Sequence, residues 1–264
     1  MYALLENFIA WTAWEMEKPR PYGMFHVTFT IVGLALSLYL AWRLRNVGKR
    51  GNKIILLTVG VFLLISEVYK QLFYYFYIGE GSYQWWIFPF QLCSVPMYLC
   101  ILAPLLKPGK ISRSMYSFMM IYNLLGGFMA FVEPSGIVHE YWTLTLHAFV
   151  WHMLIVFVGL YICFSGRGGW EKRDFWAATR MFLALCAVAF AINLLFWNAS
   201  EGDINMFFVG PKNSPLAVFK DIAKYFGWYT ATAVYIPAVC IGAYVFYLPM
   251  HCYWKYKTEK IRAS

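Results

Sequence analysis

The sequence predicts an all-α, polytopic membrane protein: a bundle of about seven transmembrane helices, with the N-terminus outside and the C-terminus inside. Of the 264 residues, 61% are hydrophobic, 21% are aromatic and only 13% are charged. Such a chain has too little polar surface to cover its apolar residues as a soluble globule. Its apolar stretches are each long enough to cross a hydrocarbon core of about 30 Å, which needs about 20 helical residues.

The predicted spans belong to a single domain that covers residues 1–264. They lie at 24–44, 54–78, 86–106, 114–133, 140–165, 174–198 and 228–253. Two further segments, residues 1–16 and a stretch that begins at Ser214, have apolar residues at helical spacing. We expect the first to lie along the outer membrane surface as an amphipathic helix. We expect the second to form a helix that either packs on top of the bundle or acts as a lid over an outward-facing pocket.

The charges of the links give the orientation. Gly79–Gln84 and Pro134–Glu140 contain no Lys or Arg, whereas the links between them in sequence are basic. The basic residues of the links and the tail are Arg43, Arg45, Lys49, Arg50, Lys53, Lys107, Lys110, Arg113, Arg167, Lys172, Arg173, Lys255, Lys257, Lys260 and Arg262. Because Lys and Arg are retained on the cytoplasmic side, these links face inward.

This topology signal accounts for the net charge of +9, so no nucleic-acid partner is predicted. We expect the protein to reside in the plasma (cytoplasmic) membrane, with membrane lipids as its partners. The sequence leaves open a membrane-protein partner, membership of a larger complex and the oligomeric state.

Strongly polar side chains inside the predicted spans are the candidate functional residues. Such groups are costly in lipid, and they usually face the bundle interior along a functional path. They are Glu67, Lys70, Gln71, Gln91, Cys93, Asn123, His147, His152 and Asn193. At 1.5 Å per residue most of them lie in the outer half of the membrane, which predicts a polar pocket open to the outer leaflet.

The spacing of these residues limits what they can do together. Glu67 meets Lys70 and Gln71 on one helix face, either as a self-neutralising structural pair or as an anchor for a polar headgroup. His147 and His152 are separated by about 140° around their helix, so at most one of them is central to any chemistry.

A Cys–His pair is a candidate for nucleophilic chemistry. A thiol in apolar surroundings needs an adjacent base, and imidazole is suited to that role. A buried Cys is also commonly a small hydrophobic residue, so the residue types alone leave both interpretations open. No metal-ligand spacing is present and no cofactor is predicted, although haem ligation by His26, His147 or His152 remains an alternative.

Several motifs resemble those of the YwaF-like integral membrane family. Phe88–Ser94 resembles its P-(L/F)-H-L-C-S signature, with Gln91 where many relatives have His. Tyr122–Gly127 followed by Glu133-Pro134 is similar to its fourth span, and His147–Tyr161 is similar to its fifth. Asn205–Phe208 and Gly227–Tyr229 resemble its outer loop, so that the likeness covers residues 50–250.

The resemblance implies a specific chemistry. The family includes the eukaryotic transmembrane protein 164, a phospholipid acyltransferase. It therefore implies a Cys nucleophile at Cys93, a His base at His152 and acyl transfer or ester hydrolysis on phospholipid-like substrates.

The other polar groups of the spans are the predicted substrate-binding residues, with Gln91, Asn123 and Gln71 as candidate oxyanion donors. They are Gln91, Glu67, Lys70, Gln71, Asn123, His147 and Asn193. The alternative is a non-catalytic membrane protein that binds or transports a solute, or a subunit of a larger complex.

Overall fold

A computed structural model describes residues 2–263, and these are predominantly helical. The α-helices are α1 (Tyr2–Thr12), α2 (Met24–Leu44), α3 (Lys49–Phe73), α4 (Val95–Leu102), α5 (Lys110–Phe118), α6 (Leu124–Val132), α7 (Trp142–Ser165), α8 (Lys172–Leu195) and α9 (Phe219–Ala263). A π-helical turn extends α3 (Tyr74–Ile78), and another joins α5 to α6 (Met119–Asn123). Short 3-10 turns lie at Trp85–Ile87, Pro134–Gly136 and Met206–Phe208.

Six helical segments among the described residues are long and apolar enough to cross a membrane. They are Met24–Leu44, Lys49–Ile78, Lys110–Val132, Trp142–Ser165, Lys172–Leu195 and Phe219–Arg262. They coincide with six of the predicted spans, and the all-α polytopic class is confirmed. Following the predicted orientation, we call the end of the bundle that carries 79–94 and 198–213 the outer end.

The predicted span 86–106 is the exception, because it is not a continuous helix. A 3-10 turn leads into an irregular stretch at 88–94, and only the eight residues of α4 are α-helical. The physical reason lies in two prolines. Phe88, forced out of the helical region by Pro89, has φ −47° and ψ 134°, and Pro96 fits only the first turn of a new helix. We call 87–94 the unwound segment.

The chain nevertheless passes through the bundle at this point. At the outer end the Trp86 N–H donates to the Asp203 carboxylate over 3.1 Å. Further along, α4 packs on the middle of α3, where a Cβ on Gly60 would lie 2.7 Å from Ile101. The region 86–106 is therefore an interrupted crossing.

Helix α7 forms the centre of the bundle. It packs against α2, α3, α6 and the π-helical turn at 119–123. Phe149, Ile155 and Tyr161, on different sides of α7, are all completely buried. This explains why the sequence of α7 is apolar all round, in contrast to the one-sided stripe of a surface helix.

Both predicted amphipathic segments are helical at the outer end. Helix α1 exposes Leu4 and Trp11, which are 74% and 68% accessible, and Met16 bonds to the Glu140 carbonyl before α7. The second helix begins at Phe219, later than predicted, because the Ser214 hydroxyl caps only a local turn at Leu216. Gly227, with φ 81°, separates this outer part from the membrane-spanning part of α9.

Candidate functional site

The carbonyl groups of the unwound segment are bonded by side chains of the surrounding helices. Gln71 Nε2 donates to the Ile87 carbonyl over 2.8 Å, and Lys70 Nζ lies 3.5 Å from the same oxygen. The Tyr98 hydroxyl donates to the Pro89 carbonyl over 2.8 Å. In hydrocarbon an unpaired backbone carbonyl is costly, so irregular backbone persists only where such partners exist.

Side-chain donors also bond to the backbone carbonyl groups at Cys93. Asn123 Nδ2 donates to the Leu92 carbonyl over 3.1 Å, and the indole N–H of Trp151 donates to the Cys93 carbonyl over 2.9 Å. Asn123 belongs to a fully buried π-helical turn, a feature often found at functional sites. Cys93 is thereby held between the α5–α6 junction and α7.

Gln91 ties the unwound segment to the outer link that follows α8. Its Nε2 donates to the Asn205 carbonyl over 2.8 Å, and its Oε1 accepts from the Phe207 N–H over 2.9 Å. Gln91 thus connects two loops at the outer end of the bundle.

Asn193 anchors the same link from below and is completely buried. Its Nδ2 donates to the Met206 and Val209 carbonyls over 3.0 and 2.7 Å, and its Oδ1 accepts from the Met206 N–H over 2.7 Å. Phe207 and Phe208, between these bonds, have φ values of 53° and 55°. Left-handed backbone at two aromatic residues is strained and persists only when its surroundings enforce it.

Glu67 and Lys70 form an ion pair over 2.9 Å, and Glu67 also accepts from Gln71 Nε2 over 2.7 Å. The Glu67 carboxylate is buried, with a residue exposure of 4%. Lys70 and Gln71 also face the Ile87 carbonyl. The three side chains therefore make the contacts expected of a self-neutralising structural pair, whatever their role with substrate. The Glu67 carboxylate is paired with both side chains, and its role as an anchor for a polar headgroup stays a prediction.

The Cys93 thiol lies in the turn that begins α4, and the residue is half-buried. The Ser94 hydroxyl and the backbone N–H of Cys93 lie beside the sulfur. The Glu67–Lys70 ion pair of α3 lies within electrostatic range of the thiol.

His152 has a defined proton position. Its Nδ1 lies 2.7 Å from the Ala148 carbonyl oxygen, which can only accept, so Nδ1 carries the proton. Nε2 is then the unprotonated nitrogen, the form that a general base requires. Nε2 is not among the unpaired polar atoms without accessible surface, so it keeps some accessible area. The ring packs edge-on against Phe131, with 6.3 Å between the ring centroids.

His147 faces a different neighbour, as the helical spacing predicts. It lies beside the Ser66 carbonyl of α3, and its ring is 5.4 Å from that of Trp151. Its Nε2 is buried without a partner, as is Oδ1 of Asn123. Buried polar atoms are normally hydrogen-bonded, so each of these two atoms has unused bonding capacity.

The three histidines considered as haem ligands contact different parts of the bundle. Among residues 2–263 no group of three or more His, Cys, Asp or Glu side chains has the arrangement of a metal site. The Nδ1 of His26 accepts from the Tyr22 N–H, while His147 and His152 lie against α3 and α6, respectively. All six cysteines are free thiols.

Sequence reasoning missed two groups that hold the unwound segment. Tyr98 and Trp151 resemble the aromatic residues that membrane spans carry for packing and for interfaces, so their residue types carry no signal for this role. In the sequence, Trp151 is notable only as part of the family motif His147–Tyr161. Pro89 and Pro96 do indicate that the crossing is interrupted, and an interrupted crossing needs side-chain donors for its free carbonyl groups.

The fold and these contacts define a multi-pass membrane protein of helical architecture, with an interrupted crossing whose backbone is bonded by buried polar side chains. The TMEM164 family model matches residues 18–247, most of the chain, and the protein belongs to this family. This confirms the resemblance inferred from the motifs. No curated protein and no solved structure matches the chain.

Proposed function

We propose that this protein is an integral membrane enzyme that transfers or hydrolyses the acyl ester of phospholipid-like substrates, with Cys93 as nucleophile and His152 as base. Family membership supports a membrane protein of this kind. Two observations on α7 support the proposal. The indole N–H of Trp151 donates to the Cys93 carbonyl, and the adjacent His152 has its Nδ1 protonated and its Nε2 unprotonated. A pocket open to the outer leaflet and a plasma-membrane location belong to the same proposal.

The proposed reaction passes through a thioester. Nε2 of His152 takes the proton of the Cys93 thiol, and the thiolate attacks the ester carbonyl carbon. The carbon–oxygen bond of the ester then breaks, and the leaving lysolipid oxygen takes the proton from His152. Water or the hydroxyl of a second lysolipid then attacks the thioester carbonyl carbon while His152 takes its proton. The carbon–sulfur bond breaks, the acid or new ester leaves, and the Cys93 sulfur recovers the proton from His152.

The remaining predicted residues have two kinds of role in this proposal. Lys70 and Gln71 bond to the unwound segment that carries Cys93, and Glu67 pairs with both of them. Gln91 joins that segment to the outer link, which Asn193 anchors. Asn123 and His147 combine packing with the unpaired atoms Oδ1 and Nε2, which would meet the polar part of the substrate. Rigid support of this kind matters because small displacements of a nucleophile cost large factors in rate.

The test is mass spectrometry of the purified protein after exposure to phospholipid vesicles. We expect an acyl adduct on Cys93 of the wild-type protein, no adduct with C93A and at least ~10²-fold slower formation with H152A. C100A and H251Q are matched controls, because Cys100 packs against Met119 and His251 bonds to Tyr247 near the inner end.

The outcome also separates the competing functions. Lipid turnover that continues unchanged in C93A and H152A would refute the proposal. A lipid or solute that co-purifies without covalent change, together with no turnover, would instead support the non-catalytic binding or transport protein.

A further inference from the structure

The proposed reaction needs a hydrogen-bond donor for the negative oxygen that forms when the thiolate attacks. Such donors usually supply a large part of the catalytic effect. The three predicted amide donors already donate to protein acceptors, Gln91 and Asn123 with one of their two N–H groups and Gln71 with both. Gln91 Nε2 donates to Asn205, Asn123 Nδ2 to Leu92, and Gln71 Nε2 to both Glu67 and Ile87.

Tyr235 of α9 has an uncommitted donor. The residue is only 5% exposed, and its hydroxyl makes no hydrogen bond within residues 2–263. A buried tyrosine hydroxyl ordinarily finds a partner. The hydroxyl is also absent from the unpaired polar atoms that have no accessible surface, so it keeps some accessible area.

The ring of Tyr235 is held in place by two aromatic neighbours. Phe219 meets it edge-on, with 5.2 Å between centroids and 90° between planes, and Phe208 lies at 6.4 Å and 82°. Phe208 follows Phe207, whose N–H donates to Gln91. One short path of contacts therefore joins Tyr235 to the residue two positions before Cys93.

The Tyr235 hydroxyl also lies within electrostatic range of the proposed nucleophile. The thiols of Cys93 and Cys186 are the two ionisable groups that act on the Tyr235 hydroxyl. The buried phenol is thus close enough to both thiols for their charges to be felt at its hydroxyl.

We propose that Tyr235 is a further catalytic residue, whose hydroxyl donates a hydrogen bond to the oxyanion formed on attack by Cys93. This inference rests on the proposed function. When sulfur bonds to the carbonyl carbon, the electron pair of the C=O bond moves to oxygen, and the neutral phenol stabilises that charge without giving up its proton. When the bond to the leaving oxygen breaks, the electron pair returns and the hydrogen bond weakens.

The test compares Y235F with wild type in two reactions of the same thiol. Formation of the Cys93 thioester from phospholipid passes through an oxyanion, so we expect its rate constant to fall about 10²–10³-fold. Alkylation of Cys93 by iodoacetamide forms no oxyanion, and its rate should stay within about 2-fold of wild type. The melting temperature should be unchanged, because the hydroxyl has no partner to lose.

Y161F is the matched control. It also removes a buried phenol, but one that bonds to Asn52 over 3.1 Å near the start of α3. We expect it to lower the melting temperature and to leave thioester formation unchanged.

The inference is overturned if Y235F forms the thioester at the wild-type rate while C93A forms none. It is also overturned if both reactions of Y235F slow equally, since that indicates a structural role. Wild-type lipid turnover in C93A would refute the Cys93 chemistry itself, and this inference with it.

Discussion

Replacing Asn193 by Leu tests whether buried amides hold the outer link in its strained conformation. Leu has a similar volume and removes three hydrogen bonds of 2.7–3.0 Å to Met206 and Val209. Each bond contributes about 0.5–1.5 kcal/mol in water-soluble proteins and about 0.6 kcal/mol on average between membrane helices. Three bonds then sum to about 2–4 kcal/mol.

The assay is thermal unfolding of the purified protein in detergent. For a chain of this size 1 kcal/mol corresponds to about 2–4 °C, so N193L should melt roughly 4–16 °C below wild type. N198L is the matched control, because the Asn198 side chain is exposed and should lose nothing. A melting temperature of N193L equal to that of N198L would refute the view that these bonds hold the link.

Two further predictions concern the two ends of the bundle. At the outer end, burial and then the charges of Lys18 and Lys70 lower the pKa of His139 from 6.5 to about 4. The unfolded chain therefore binds more protons between these values, and stability that is present above pH 6.5 should fall as the pH drops towards 4. H139F should flatten this part of a melting-temperature series, and an unchanged slope would contradict the assignment. At the inner end, a Cβ on Gly169 would lie 1.9 Å from Cγ of the buried Asp174, whose oxygens pair with Arg113 over 2.6 and 2.8 Å. G169A should lower the free energy of unfolding by about 3 kcal/mol, whereas G136A, with nothing within 4 Å of the added Cβ, should melt like wild type. Equal melting temperatures for the two variants would show that the ion pair tolerates displacement.

The polar residues within the spans illustrate the limit of reasoning from the sequence. Their cost in lipid correctly indicated that they lie inside the bundle, and Glu67, Asn123 and Asn193 are all buried. Their partners were not predictable. Gln91 reaches Phe207 across 116 residues of sequence, and Asn123 reaches Leu92 across 31. No local pattern encodes such pairings, so side chains expected to meet substrate are found bonded to backbone.

The sequence by itself determined that this is a membrane protein, because hydropathy and the charge of the links are properties of short local segments. These properties were enough to predict the six long membrane-spanning helices and the all-α class. Only the tertiary structure decided that the region around Pro89 and Pro96 crosses unwound, since that conformation depends on donors from three other helices. The same contacts decide which polar atoms remain unpaired, and the hydroxyl of Tyr235 is one that no periodicity could have selected.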